Sequence, residues 1–136
     1  MDSQTSRFPN HIAIILDGNR RYAKKMGMPL WRGHYLGVKK VTEFMEWCRD
    51  LGIKELTLYC FSTENFKRSR KEVAFLFRLF NNEFNSMRSR KNIFKHKIKI
   101  NMIGRSHMLP DFLRKSIREI AQITKNHKMM KWNILL

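Results

Sequence analysis

Residues 11–25 read HIAIILDGNRRYAKK, an apolar run that stops abruptly on Asp-Gly-Asn-Arg-Arg and then takes up a helical pattern. Ile12 to Leu16 are apolar without alternation, the pattern of a strand covered on both faces, as in a parallel sheet. Asp17-Gly18 ends it. From Arg20 to Lys25 the spacing is helical, closed by Gly27 and Pro29. In open α/β folds a turn from a buried strand into a helix lies where ligands bind, so this one stretch points to a fold class and a site together.

Outward from it the unit recurs. A basic, aromatic stretch, LWRGHYLG at 30–37, is expected as a loop, a candidate lid or binding segment. From Gly37 to Leu51 apolar residues recur at three and four (Val38, Val41, Phe44, Met45, Cys48), with Gly52 where a C-terminal cap belongs. ELTLYCF at 55–61 is a second near-continuous apolar strand, followed by the polar STENFKR. Ser69 and Glu72 form a capping box ahead of a helix whose apolar face carries Val73, Leu76, Phe77, Phe80 and Phe84. A basic connector from Ser86 to Lys95 leads to KIKINMI at 97–103, which alternates like a strand with one face less covered. Pro110 opens a helix carrying Leu113, Ile117 and Ile120, and the closing KWNILL starts like a fourth strand and stops inside it. Strands alternating with helices predict an α/β fold: an open, mostly parallel sheet with helices on both faces, ending in the fourth strand. The 136 residues suit a single domain, its start through Asn10 read as a flexible N-terminus.

Charge narrows the partners. The chain carries 28 Lys+Arg against 11 Asp+Glu, a net +17, which calls for nucleic acid, an anionic membrane surface or a phosphate-rich substrate. The surplus concentrates at 86–132, with 13 Lys+Arg against 2 Asp+Glu. No zinc spacing, aromatic RNA motif or basic zipper accompanies it, so no nucleic acid is expected. Cys48 and Cys60 sit inside apolar periodic segments and read as core thiols of a reducing compartment. No segment has the length of a transmembrane helix and the polar start lacks signal-peptide regions, so the chain reads as soluble or membrane-peripheral.

The chemistry gathers at the two strand ends. Gly18 permits a tight turn, the helix that follows offers free N–H groups, and Arg20 and Arg21 add forks that grip phosphate oxygens. Asp17, lone among cations, suits a Mg²⁺ ion that bridges diphosphate oxygens. Ser62, Thr63, Asn65, Arg68 and Arg70 form a second anion-friendly set after the second strand. His34 lies in the glycine-flanked segment beside the expected lid, and the Phe-rich helix reads as core or as a wall for an apolar tail.

HIAIILDGNRRYAKK, then a Gly-His pair, then LTLYCFSTENFKRSRKEV resemble, in order and spacing, the cis-prenyltransferases, the undecaprenyl and dehydrodolichyl diphosphate synthases. The match runs from about His11 to Val73 and more loosely to about Lys125, and the Asn-Arg-Arg-Tyr form is similar to the dehydrodolichyl branch. The resemblance implies an enzyme that joins isopentenyl diphosphate to an allylic diphosphate such as farnesyl diphosphate with cis geometry, using Mg²⁺, for dolichol and glycoprotein synthesis. It implies Asp17 and Asn65 as catalytic residues, Asp17 holding the metal and Asn65 handling a proton. It assigns Gly18, Asn19, Arg20, Arg21, Tyr22, His34, Ser62, Thr63, Glu64, Phe66 and Arg68 to substrate binding, with the helices at 37–51 and 73–84 lining a prenyl tunnel. Leu30 stands where the family commonly has an arginine, with Arg32 two positions along. Family members are considerably longer, and their further part carries the Arg-rich segment for isopentenyl diphosphate, another acidic metal ligand and most dimer contacts. By resemblance the complete protein is a homodimer or pairs with a related subunit, at the cytoplasmic face of the endoplasmic reticulum membrane. A second expectation is a catalytically incompetent fragment that binds allylic diphosphate or a full-length partner subunit.

Overall fold

The computed structural model describes residues 7–136; the expected flexible start falls mostly on residues 1–6, outside the described residues. Asn10 is anchored, its carbonyl accepting the N–H groups of Lys54 and Glu55. Four strands, β1 (His11–Ile15), β2 (Glu55–Tyr59), β3 (Ile98–Ile103) and β4 (Met130–Leu135), form one sheet in the order β1-β2-β4-β3, every pairing parallel. The C-terminal strand is thus central, pairing Leu58 with Ile134 on one side and Met102 with Ile134 on the other. Helices α1 (Asn19–Lys25), α2 (Leu30–Asp50), α3 (Arg70–Met87), α4 (Lys91–Lys95) and α5 (Asp111–Thr124) alternate with them.

One face of the sheet makes the core. Ile12, Ile14, Leu56, Leu58, Ile98, Ile100, Trp132 and Ile134 pack with Met45 and Cys48 of α2, Phe77 and Phe84 of α3, and Leu113, Ile117 and Ile120 of α5. Each such side chain fully removed from water contributes roughly 1.5–3 kcal/mol. A buried hydroxyl ties helix to strand: Thr124 Oγ1 donates to the Ile120 carbonyl at 2.8 Å and accepts the Ile100 N–H at 3.0 Å.

The opposite face carries a polar ladder, with Ile15, Tyr59, Leu135 and Ile103 as an apolar row at its carboxyl end. His11 bonds Thr57 at 2.7 Å, the Asn133 amide donates to Glu55 at 2.7 Å and Thr57 at 3.2 Å, and Asn101 donates to Asn133 at 3.2 Å. The parallel α/β architecture is as the sequence predicts, but cover lies on one face, where the runs of β1 and β2 implied two. A run of five apolar residues does not say how many of its faces are buried: Ile15 is 74% exposed.

Three local expectations change. LWRGHYLG is no lid loop: it is the first two turns of α2, entered through Pro29. Tertiary packing overrides the weak helix propensity of its glycines, because a Cβ on Gly33 would overlap the Asn19 carbonyl and approach Ala23 Cβ to 2.8 Å, and one on Gly37 would overlap the Asn19 amide. These are close-approach glycines. The connector 86–95 is part α3 and part α4, held by buried Ile93. The capping box at Ser69 is half made: Ser69 Oγ accepts the Glu72 N–H at 3.2 Å, while the Glu72 carboxylate turns elsewhere.

Candidate diphosphate-binding site

The site is assembled at the carboxyl ends of β1 and β2. After β1 the chain turns through Gly18 at φ +92°, a left-handed conformation that a side chain resists. Asp17 Oδ1 accepts the Gly18 N–H at 2.7 Å and its Oδ2 pairs with Arg21 Nη2 at 3.1 Å, so the carboxylate is preset while still 74% exposed. Asn19 is seated on α2 by the two glycines. At only seven residues, α1 contributes a weak dipole; the guanidinium groups supply most of the charge.

Glu72 is the centre of this end. Its carboxylate, 7% exposed, takes His34 Nε2 at 2.9 Å, Arg20 Nε at 3.2 Å and Arg68 Nη1 at 3.4 Å, all on Oε1. Four separate segments, α1, α2, the turn after β2 and α3, are thereby tied to one oxygen. A carboxylate only accepts, so the short contact requires the proton on His34 Nε2. Arg20 Nε sits too obliquely for a hydrogen bond and is left buried without one. The Arg20 side chain as a whole is 42% exposed and lies on the cavity wall, which puts cationic donors beside the turn.

The turn after β2, a short 3₁₀ helix over Thr63–Lys67, is itself braced, with Ser62 N–H donating to Asn65 Oδ1 at 3.0 Å. Phe66 anchors it by packing on Phe61 at 5.1 Å and Phe77 at 5.8 Å.

These residues surround one end of a cavity of about 290 Å³. Asp17, Gly18, Asn19, Arg20, Arg21, His34, Asn65 and Arg68 line it; Tyr22, Ser62, Thr63, Glu64 and Phe66 do not, and Arg32 is exposed on α2 away from it. From there the cavity runs between α2, α3 and the sheet, past Val38, Val41, Met45, Leu76 and Phe80. Cationic at one end and mostly apolar beyond it, with Glu83 and Arg90 also on its wall, it fits an amphipathic anion. Burial pushes the Cys60 thiol, also on its wall, up to about 12, which keeps it protonated and unreactive. Glu72 is the functional residue that sequence reasoning assigned only to a cap; the signal was a lone carboxylate four residues after Arg68 in a cationic stretch.

Among the described residues no three His, Cys, Asp or Glu side chains come together to hold a metal, and no helix is long and apolar enough to cross a membrane. Asp17 alone fits Mg²⁺ in the way that ion uses such sites, with one carboxylate and the remaining places taken by substrate phosphates and water.

The fold and site define a parallel α/β protein whose cavity is cationic at the strand ends and mostly apolar beyond them. A family profile described as "Putative undecaprenyl diphosphate synthase" matches residues 15–136, and the chain belongs to this cis-prenyltransferase family. The tritrans,polycis-undecaprenyl-diphosphate synthase (geranylgeranyl-diphosphate specific) of Thermococcus kodakarensis is 44% identical over 98% of this chain and 50% of its own length. The protein of the same name in Thermoplasma volcanium is 46% identical over 94% of the chain and 50% of its length. Among solved structures, lavandulyl diphosphate synthase from Lavandula x intermedia, in complex with dimethylallyl diphosphate, superposes with a TM-score of 0.87 at 32% identity, covering 93% of this chain and 54% of that one. The chain thus spans about half the length of the curated relatives it matches.

Proposed function

We propose that the chain carries the allylic-diphosphate part of a cis-prenyltransferase, receiving a donor such as farnesyl diphosphate for condensation with isopentenyl diphosphate into a polyprenyl diphosphate of the dehydrodolichyl kind. The observation that carries this reading is the continuity of the cationic end and the apolar groove in one cavity. The diphosphate rests on the Asp17–Arg21 turn and Arg68, and the prenyl tail lies between α2 and α3. As the allylic C–O bond breaks, its electron pair goes to the diphosphate, where Arg20, Arg21 and Arg68 oppose the growing charge. Mg²⁺, held by Asp17 and the phosphates, supplies further neutralisation of the leaving group when bound. The isopentenyl double bond then closes on the allylic carbon and a proton leaves its neighbouring carbon for the released diphosphate; Asn65, braced by Ser62 at the cavity wall, orients that transfer.

The test is transfer of labelled isopentenyl diphosphate to farnesyl or geranylgeranyl diphosphate, with and without Mg²⁺, beside Asp17→Ala. Mg²⁺-dependent product lost in the variant supports catalysis. The second reading, an allylic-diphosphate binder completed by a longer partner subunit, is favoured by the half-length match to the relatives; it predicts binding of the allylic diphosphate without turnover until that subunit is added. Failure of every allylic diphosphate to bind overturns both. We place the complete protein, as a homodimer or paired with a related subunit, at the cytoplasmic face of the endoplasmic reticulum membrane, a location that cell fractionation tests; the net charge of +17 suits an anionic surface.

A further inference from the structure

The cationic surplus of residues 86–132 is not evenly spread. Four of its thirteen Lys and Arg are held by carboxylates: Arg88 by Glu119, Arg90 by Glu83, Arg114 by Asp111 and Lys131 by Glu55. Lys91, Lys95, Lys97, Lys125 and Lys128 are exposed, have no carboxylate partner among the described residues, and gather at one end of the molecule. β3 and β4 run parallel with Ile98 beside Met130, so the turns that lead into them from α4 and α5 lie together at the amino ends of the strands. The two turns are locked to each other: the Lys97 carbonyl accepts the Met129 N–H at 3.1 Å, and His127 Nδ1 donates to the Ile98 carbonyl at 2.8 Å. Among these lysines stand two large apolar side chains in water, Met129 at 61% exposure and Ile123, on the last turn of α5, at 47%. The tail end of the groove lies at the same end, its wall reaching Met87 and Arg90, which lead into α4.

We propose that this end of the molecule docks on an anionic lipid bilayer, with the five lysines among the headgroups, Ile123 and Met129 entering the interface, and the tail end of the groove turned toward the lipid. The sense of that orientation rests on the reading of the cavity as an allylic-diphosphate site. Charge alone suits any polyanion, and each lysine near an acidic leaflet adds to the attraction. What favours a bilayer is the pair of apolar side chains set among the charges: a lipid interface takes them out of water with a gain, whereas a phosphodiester backbone leaves them facing charge. The diphosphate site lies at the carboxyl ends of the strands, so docking at the amino ends leaves the Asp17–Arg21 turn open to water-borne substrate.

The experiment is cosedimentation of the unaltered chain with vesicles of phosphatidylcholine, and with vesicles of an equal mixture of phosphatidylcholine and phosphatidylserine, at low and high salt. Beside it stand Lys91→Gln/Lys95→Gln/Lys125→Gln/Lys128→Gln, Ile123→Ser/Met129→Ser, and a control that removes the same charge from α1 and α2, Lys24→Gln/Lys25→Gln/Lys39→Gln/Lys40→Gln, each checked for cooperative unfolding. The unaltered chain is expected to bind the mixed vesicles and not the neutral ones, and to bind less as salt rises. Neutralising the four lysines at the strand ends is expected to weaken that binding by at least about tenfold, the serine pair severalfold, and the control little. Farnesyl diphosphate affinity without vesicles is expected to be the same in all four proteins, since none of the substituted residues lines the cavity. Equal binding to neutral vesicles, an equal loss in the control, or a serine variant that binds like the unaltered chain overturns the docking surface. So does a duplex RNA that takes the chain more tightly than mixed vesicles at the same salt and through the same four lysines. Vesicle binding in the expected pattern without any binding of farnesyl diphosphate upholds the surface and overturns the functional reading alone.

Discussion

Asp17 and Glu72 are both carboxylates among arginines, and their surroundings give them opposite tasks. Asp17 is exposed and preset by one backbone N–H and one guanidinium, the arrangement that the proposed metal-diphosphate role asks of it. Glu72 is enclosed and already shared by His34, Arg20 and Arg68, so it positions the groups that face the ligand. Glu72→Ala is expected to cost about 2 kcal/mol in denaturant unfolding, a value reduced from that of a fully buried pair because Arg20 remains half in water. Glu72→Gln is expected to fold and to bind inorganic diphosphate several-fold more weakly, since the guanidinium groups lose their common anchor; unchanged affinity in a titration refutes the positioning role. Cys60, raised to about 12, and Cys48, raised by the same loss of solvent, are both expected to resist alkylation at neutral pH until the chain unfolds, as followed by mass spectrometry.

At the scale of elements, α2 is the informative case. A helix with glycines at Gly33 and Gly37 is weaker than one with alanines by about 1 kcal/mol per site in isolation. Here the missing Cβ atoms admit Asn19, and with it the whole turn after β1, against the helix. Gly37→Ala is therefore expected to lower the melting temperature despite the better helix former, and to weaken diphosphate binding by shifting Asn19; a melting temperature that rises refutes the close approach. The half-made cap at Ser69 follows the same logic. One turn of helix gives up its second capping bond so that Glu72 can meet His34, and the complete reciprocal box appears seven residues earlier in the chain, between Ser62 and Asn65.

At the scale of the molecule, a sheet clothed on one face has a polar ladder on the other, and that ladder has a pH signature. The Asn133 amide, helped by the charges of Lys131 and His11, holds the Glu55 carboxyl below the usual carboxylate range, against a smaller opposing effect of burial. A group lowered in the folded state contributes stability that is present in full above its unfolded value and is lost as pH falls through the folded one. The unaltered chain is expected to lose stability on acidification through about pH 4 and below, and Glu55→Gln to lose less over the same span, read from urea unfolding at stepped pH. Much of this architecture was legible beforehand. The run to Asp17, the run to Tyr59, the alternation from Ile98 and the periodic faces of α2, α3 and α5 are short-range patterns, and short-range patterns are what period and composition report. The Asp-Gly-Asn-Arg-Arg turn was legible too, because a strand end, a glycine and two guanidinium groups occupy consecutive positions. What the sequence by itself determined is therefore the alternation of strands and helices and the anionic preference of the turns between them. Only the tertiary structure decided which face of the sheet is covered, that Gly33 and Gly37 make a helix contact instead of a loop, and that Glu72 gathers His34, Arg20 and Arg68. Each of these depends on contacts between residues distant in the chain, whose energy no local pattern carries.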